Sequence, residues 1–312
     1  MWFKRIFRPR NSEHDEHSPD RPLFDEHFLR RLERISLQTM RTLQGSPVSG
    51  EHPGRHLLPS SIFSDHRPYV SGDDFRYVDW NVYARLDHLV LKLGEREQHV
   101  DVHMLLDVSR SMAWGKPQKL RMVQQLAGAL GYLALTHGDR VQVVPFGAAP
   151  LPSFGPARGK GRLMEMFRYL ETLSIEQQTH MQAVLEQHAR RYRRGGMLIL
   201  CSDLLAPEGL DMGLRAFAPP RWQVLVFHII DPRELRPELR GPLDLTDAES
   251  GQRLSLVVND DLLAAYHHSM NQWQELLAQT CSRRGAAYVR ILTTWPLEQK
   301  VIPFLRARRL LV

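Results

Sequence analysis

The sequence predicts a doubly wound α/β fold, a mostly parallel sheet covered by helices on both faces, with a small β-rich accessory module. Three observations carry this. Continuous apolar runs such as "MLIL" (197–200) and "VLVF" (224–227) read as strands buried on both faces. Strands and helical patterns alternate from residue 98 onward, as they do when crossover helices link parallel strands. Two of these strands end in oxygen-rich turns, "LLDVSRS" (105–111) and "LILCSD" (198–203), and ligand sites of doubly wound sheets lie at strand carboxyl ends.

In chain order, residues 1–22 are polar, His-rich and proline-bounded, the composition of a disordered tail. Apolar residues then recur at helical spacing from Phe24 to Leu43, through Phe28, Leu32, Ile35, Leu37 and Met40. Prolines and glycines between 44 and 68 disfavour regular helix. Residues 76–105, with "RYVDWNVYARLDHLVLKL" and "QHVDVHMLL", read as short strands. Residues 23–97 thus form the N-terminal helix and β-rich accessory region, and 98–312 the α/β domain. Within that domain a strong amphipathic helix spans 118–136 and "DRVQVVPF" (139–146) is a strand. Helices follow at 161–172 and 179–192, then a buried strand at 195–203, a short helix at 208–217 and a buried strand at 221–230. Alternation around Ser250 and Gly251 makes 243–258 a hairpin, expected to pair with the accessory region because both would otherwise expose strand edges. A long helix at 260–284, the strand "AAYVRILT" and a helix at 297–307 complete the chain.

Composition narrows the function classes. The 312 residues carry a formal net charge of +6 with a pI near 9.5, basic enough to tolerate an acidic partner without demanding nucleic acid. The basic clusters "RRYRR" (190–194) and "RARR" (306–309) each end a predicted helix, where cations complement the dipole, and no stacking aromatics are interleaved. No nucleic acid partner is expected. Cys201 and Cys281 match no metal spacing, and a reducing, cytoplasmic compartment is the simplest reading. The longest apolar run, "LAGALGYLAL" (126–135), is far short of the roughly 20 residues a spanning helix needs. Residues 1–10, "MWFKRIFRPR", have no signal-peptide core and at most touch an anionic membrane weakly.

The chemistry concentrates at the strand ends. Asp107, Ser109 and Ser111 follow one strand, Ser202 and Asp203 end another, and Thr179 opens a helix between them. Carboxylates, hydroxyls and water suit a hard divalent ion, Mg²⁺ above all, with Mn²⁺ or Ca²⁺ as alternatives. Singly, each residue has a plainer role: Ser109 and Thr179 as helix caps, Asp203 as a turn former. Enzyme motifs fit less well. Neither serine has a G-x-S-x-G frame, an aspartyl phosphatase would place a second aspartate at 109, and "GPARGKGR" (155–162) lacks the phosphate-loop spacing. A metal-dependent phosphoesterase using Asp107, Ser109 and Ser111 remains the alternative function.

These residues resemble a known arrangement. D-x-S-x-S after a buried strand, then a later threonine and aspartate, is similar to the metal-ion-dependent adhesion site of von Willebrand factor A domains, here Asp107, Ser109, Ser111, Thr179 and Asp203. The preceding "Y-x-x-G-D-D-x-R-x-x-D-W" (Tyr69, Gly72, Asp73, Asp74, Arg76, Asp79, Trp80) resembles the signature of a bacterial and archaeal family catalogued as domain of unknown function fifty-eight. Ala84 and Arg85, "KL" at 119–120, "GDRV" at 138–141 and "D-P-x-E" at 231–234 agree with it. The resemblance runs from about residue 25 to about residue 290. It implies a von Willebrand factor A-like domain acting as a noncatalytic adaptor. The implied partners are a MoxR-type AAA+ ATPase and a client protein that the pair assembles, matures or remodels. The sixth metal position would fall to an acidic side chain of a partner. Two features depart from the family: many members carry N-terminal membrane helices, and Thr179 follows "EQQ" instead of a glycine-rich turn. The acidic signature has a structural reading, with Asp73 and Asp74 capping a turn, Arg76 pairing with a carboxylate and Trp80 filling a core. The other reading is a surface that docks the ATPase.

Overall fold

A computed structural model describes residues 23–26, 28–30, 32–33, 58–59, 65–94, 99–147, 151–176, 180–205, 208–246 and 253–307. Two compact units result, Thr42–His99 and the remainder. The expected tail 1–22, most of the helix drawn to Leu43 and the turn at Ser250 lie outside the described residues.

The larger unit is built on six strands: β4 (Asp101–Asp107), β5 (Arg140–Phe146), β6 (Phe154–Arg158), β7 (Gly196–Ser202), β8 (Trp222–Ile230) and β11 (Ala286–Leu292). Their order is β11-β8-β7-β4-β5-β6, all pairings parallel except antiparallel β5–β6. This is the doubly wound, mostly parallel sheet the sequence predicts. The chain leaves β4 toward β5 on one side and returns to β7 on the other, so the topological switch point lies between β4 and β7.

Strand alternation feeds two cores. Met104, Leu106, Ile199, Cys201, Leu225 and Phe227 face one side, under α3 (Lys119–Thr136), α4 (Leu163–Glu171) and α9 (Ile302–Ala307). Leu105, Leu198, Leu200, Val224 and Val226 face the other, under α5 (Met181–Arg191), α6 (Glu208–Leu214) and α8 (Asp260–Arg283). Strands buried on both faces read as near-continuous apolar runs for this reason, interrupted by the buried polar residues His103 in β4, Gln142 in β5 and His228 in β8. Edge strand β6 had no counterpart in the sequence reading: it contains Gly155 and Pro156, residues that disfavour central strands but are tolerated where one side of the ladder is open.

Three expectations are corrected. The helical stretch α1, within residues 26–33, belongs to the larger unit and not to the accessory region. Its Phe24, Phe28 and Leu32 join the first core, and Gly128 of α3 has no side chain because Phe24 lies where a Cβ would be. Residues Trp80–Leu86 form a helix, α2, not a strand. The Asp79 carboxylate accepts from the Asn81 and Val82 N–H groups, and Asp87 ends the helix in the left-handed region at φ 55°. The hairpin β9 (Gly241–Thr246) and β10 (Arg253–Val258) forms its own two-stranded sheet and lies in the larger unit. Its buried Leu245 and Val258, with Leu254 and Leu256, line an apolar cavity against α8, and among the described residues it pairs with no other strand.

The smaller unit has a three-stranded antiparallel sheet, β1 (Leu58–Pro59), β3 (Val90–Gly94) and β2 (Asp65–Pro68), in the order β1-β3-β2. The acidic signature folds tightly within it. Asp73 accepts two hydrogen bonds from Arg67 at 2.8 and 2.7 Å, Asp74 accepts from its neighbour Arg76, and the Asp79 carboxylate contacts His66 Nε2 at 3.0 Å. The structural reading holds for the charges. It fails for Trp80, which is 57% exposed; among the described residues Val78 and Leu91 are the buried apolar ones here.

Candidate functional site

β4 and β7 are neighbours, so their carboxyl ends bring Asp107 and Ser202–Asp203 together at the switch point. Asp107 is buried. Its Oδ1 accepts the Ser109 N–H at 2.9 Å and its Oδ2 accepts the Ser202 hydroxyl at 2.6 Å. Ser109 is left in extended backbone, and the short 3₁₀ turn Arg110–Ala113 that follows returns Ser111 to the same spot. The Ser109 and Ser111 hydroxyl oxygens are 3.0 Å apart. Burial, and then the Asp203 charge, push the Asp107 carboxyl up to about 6, against the hydrogen bonds from Ser202 and Ser109. Among the described residues no cation pairs with Asp107.

Asp203 is buried and has a different partner. Lys119, the first residue of α3 and fully buried, donates from Nζ to Asp203 Oδ2 at 2.7 Å and to Glu234 Oε1 at 2.7 Å. Burial alone would lower the Lys119 pKa, but the two carboxylates hold it above its ordinary value. Burial likewise raises Glu234, against the pull of Lys119. Glu234 sits in the short helix α7 (Pro232–Leu235), where Glu234 Oε2 accepts the Asp231 N–H and Asp231 caps the helix start, a reciprocal capping box. Asp231 also accepts the Lys116 N–H, which ties α7 to the loop after Ser111. Gly115 in that loop has φ +112°, and a Cβ there would lie 2.8 Å from the Pro117 carbonyl oxygen and 3.0 Å from Asp231 Oδ2. Burial acts to raise Asp231, but hydrogen bonds from Arg233 and Lys116 outweigh it and hold the carboxyl below its usual range.

The structure thus brings together four of the five expected residues: Asp107, Ser109, Ser111 and Asp203. Thr179 lies outside the described residues. Its approach is described as far as Glu176, whose N–H donates to the Val108 carbonyl at 2.6 Å beside the site. Sequence reasoning noted Lys119 and the "D-P-x-E" segment only as points of resemblance and missed their role. The local signal was weak, because Lys119 starts the helix among Gln118, Arg121, Gln124 and Gln125, and only its burial, rare for a lysine without a partner, marks it out.

The donor set was tested for a hard divalent ion. Octahedral metal–oxygen distances of about 2.0–2.1 Å place adjacent ligands about 3 Å apart. Ser109 Oγ and Ser111 Oγ have that spacing, and Asp107 keeps free lone pairs on both carboxylate oxygens. These residues fit the ion. No group of three or more His, Cys, Asp or Glu side chains suited to a metal occurs among the described residues, so an ion here would depend on the hydroxyls.

One further feature adjoins the site. A cavity of about 60 Å³ is walled by β8, the hairpin and α8, through Ile230, Leu245, Leu256, Tyr266 and Met270, with Asp203 and Glu234 at its polar end. The described residues contain no helix long and apolar enough to cross a membrane.

The chain is similar to several known proteins. An uncharacterized protein of Mycobacterium tuberculosis is 25% identical over 290 residues, 91% of each chain, and one of Mycobacterium bovis matches equally. Among solved structures, conserved hypothetical protein BatB from Bacteroides thetaiotaomicron is similar with a TM-score of 0.45 and 19% identity, covering 68% of this chain and 100% of that one. The VWA domain of SpRpn10 has a TM-score of 0.37 and 10% identity, covering 66% and 94%. A family profile described as "Protein of unknown function DUF58" matches residues 65–275, two thirds of the sequence and the whole span from the acidic signature through the strand-end site, and the chain belongs to that family.

Proposed function

We propose that the protein is a noncatalytic, metal-dependent protein-interaction adaptor. One observation carries this reading: a buried carboxylate, Asp107, without a cationic partner among the described residues, beside two hydroxyls at ligand spacing on the switch point of the sheet. Mg²⁺, or Mn²⁺ or Ca²⁺ in its place, would be held by Asp107, Ser109 and Ser111, with Asp203 and Thr179 direct or through water. The ion supplies a positive centre with open positions, and an acidic side chain of a partner completes it. The family resemblance nominates a MoxR-type AAA+ ATPase as that partner, or a client the two proteins assemble, mature or remodel. A reducing cytoplasm suits the buried free thiols of Cys201 and Cys281.

The test is affinity capture from the native cell, with Mg²⁺ and with chelator, for wild type and Asp107→Ala. An AAA+ ATPase retained only by wild type with Mg²⁺ is the expected result. Equal retention in all four conditions places ATPase docking on another surface, such as residues 69–80. Absence of any ATPase removes the adaptor role. The hydrolase alternative separates in a second assay: phosphatase or esterase turnover above the Asp107→Ala control would overturn the noncatalytic reading.

A further inference from the structure

A metal reading of this site leaves one side chain unexplained. Lys119 puts a second cation inside it. The ammonium is fully buried and shared between Asp203 and Glu234, both at 2.7 Å. An isolated buried ammonium is strongly disfavoured, so two carboxylates are needed to hold it there. Asp203 is also one of the oxygen donors expected to reach the metal ion. Its Oδ2 is already committed to Lys119, and among the described residues its Oδ1 accepts one long contact, 3.4 Å, from the Leu205 N–H.

Resting on that metal reading, we propose that Lys119 is an internal competitor for Asp203 that sets both the affinity and the charge selectivity of the ion site. Formal charge makes the case. Asp107, Asp203 and Glu234 against Lys119 leave a net of two negative charges, which one divalent ion cancels; Asp231 is matched separately by Arg233 at 3.0 Å. Removing the ammonium leaves three negative charges and frees Asp203 as a ligand. Glu234 makes the competition reversible. It is anchored through Oε2 by the Asp231 N–H, and its carbonyl accepts the Tyr266 hydroxyl at 2.6 Å, so it remains in place as a counter-ion if Lys119 gives up Asp203. Lys119 in this role positions charge and touches no partner.

The experiment is calorimetric titration of the whole protein with Mn²⁺ and with Tb³⁺. Lys119→Met should bind Mn²⁺ about tenfold more tightly than wild type, the effect of removing a like charge at close range in a partly shielded site. Tb³⁺ should gain more than Mn²⁺, because the variant site carries one extra negative charge. Unchanged or weaker Mn²⁺ binding in a folded Lys119→Met protein overturns the proposal.

Two unpaired carboxylates could unfold that variant, so Lys119→Met/Glu234→Gln is made beside it. The double variant keeps the wild-type net charge but frees Asp203. Tighter Mn²⁺ binding than wild type supports competition, and equal binding overturns it. A measurement on the native sequence needs no substitution in the protein measured. The Lys119 Nζ resonance of ¹⁵N-lysine-labelled wild type, assigned by its loss in Lys119→Arg, should shift on Mg²⁺ addition, and a resonance that ignores a bound ion overturns the proposal. Should neither wild type nor any variant bind an ion, the metal reading itself fails. Should wild type bind through Asp107 while Lys119 has no influence, only this inference fails.

Discussion

Buried ionisable side chains set the behaviour of this protein at the residue scale. Asp107 has its pKa raised to about 6, so the neutral form is the one the fold prefers. The stability linked to it is complete below the unfolded value near 3.8 and is lost as pH rises through about 6. At pH 7 without metal, the ionised carboxylate is therefore a cost. Asp107→Asn should raise the stability of the metal-free protein by about 1–3 kcal/mol, read from urea unfolding in chelator, while abolishing ion binding. His103 and His188 act in the opposite direction. Their rings meet at 3.0 Å in the core, and burial lowers them to about 4 and about 3. Stability from this pair is present above the unfolded value near 6.5 and is lost as pH falls toward 4. Replacing both by leucine should flatten the acid limb of a stability–pH curve between pH 6.5 and 4. An unchanged limb would show that other groups drive acid unfolding.

Elements differ in how openly their sequence declares them. The hydrophobic stripe of α3 and the unbroken runs of β7 and β8 are local patterns and were legible. α2 was not, because its aromatic and β-branched residues favour strand, and a single carboxylate cap at Asp79 decides otherwise. α1 could be seen as a helix, but not where it packs, since its contact depends on a glycine a hundred residues away. Gly128→Leu should push Phe24 off α3 and cost about 1–3 kcal/mol in thermal or denaturant unfolding, a typical overpacking penalty. In the smaller unit, Val78→Ala should cost about 2 kcal/mol, whereas Trp80→Ser should change stability by less than about 0.5 kcal/mol. If Trp80→Ser nevertheless weakens capture of the ATPase, the exposed indole belongs to a docking face and not to a core.

For the whole molecule, metal and partner should be linked through one site. A partner carboxylate that completes the ion must raise Mg²⁺ affinity by the same factor by which Mg²⁺ raises partner affinity. Titrating each ligand in the presence and absence of the other measures both factors, and unequal factors would rule out a single shared site. The sequence by itself determined the α/β class, the strands whose ends carry the chemistry, and the Asp107–Ser109–Ser111 cluster, because periodicity and a five-residue turn are local properties of the chain. Tertiary structure alone decided three things: that the hairpin forms its own sheet beside α8, that α1 joins the larger core, and that Lys119 meets Asp203 and Glu234. Those last contacts span 84 and 115 residues. A charge pair has no period and no spacing along the chain. Its partners are chosen by which strand ends and helix starts the sheet order sets side by side, and by the cost of leaving any one of those charges buried alone.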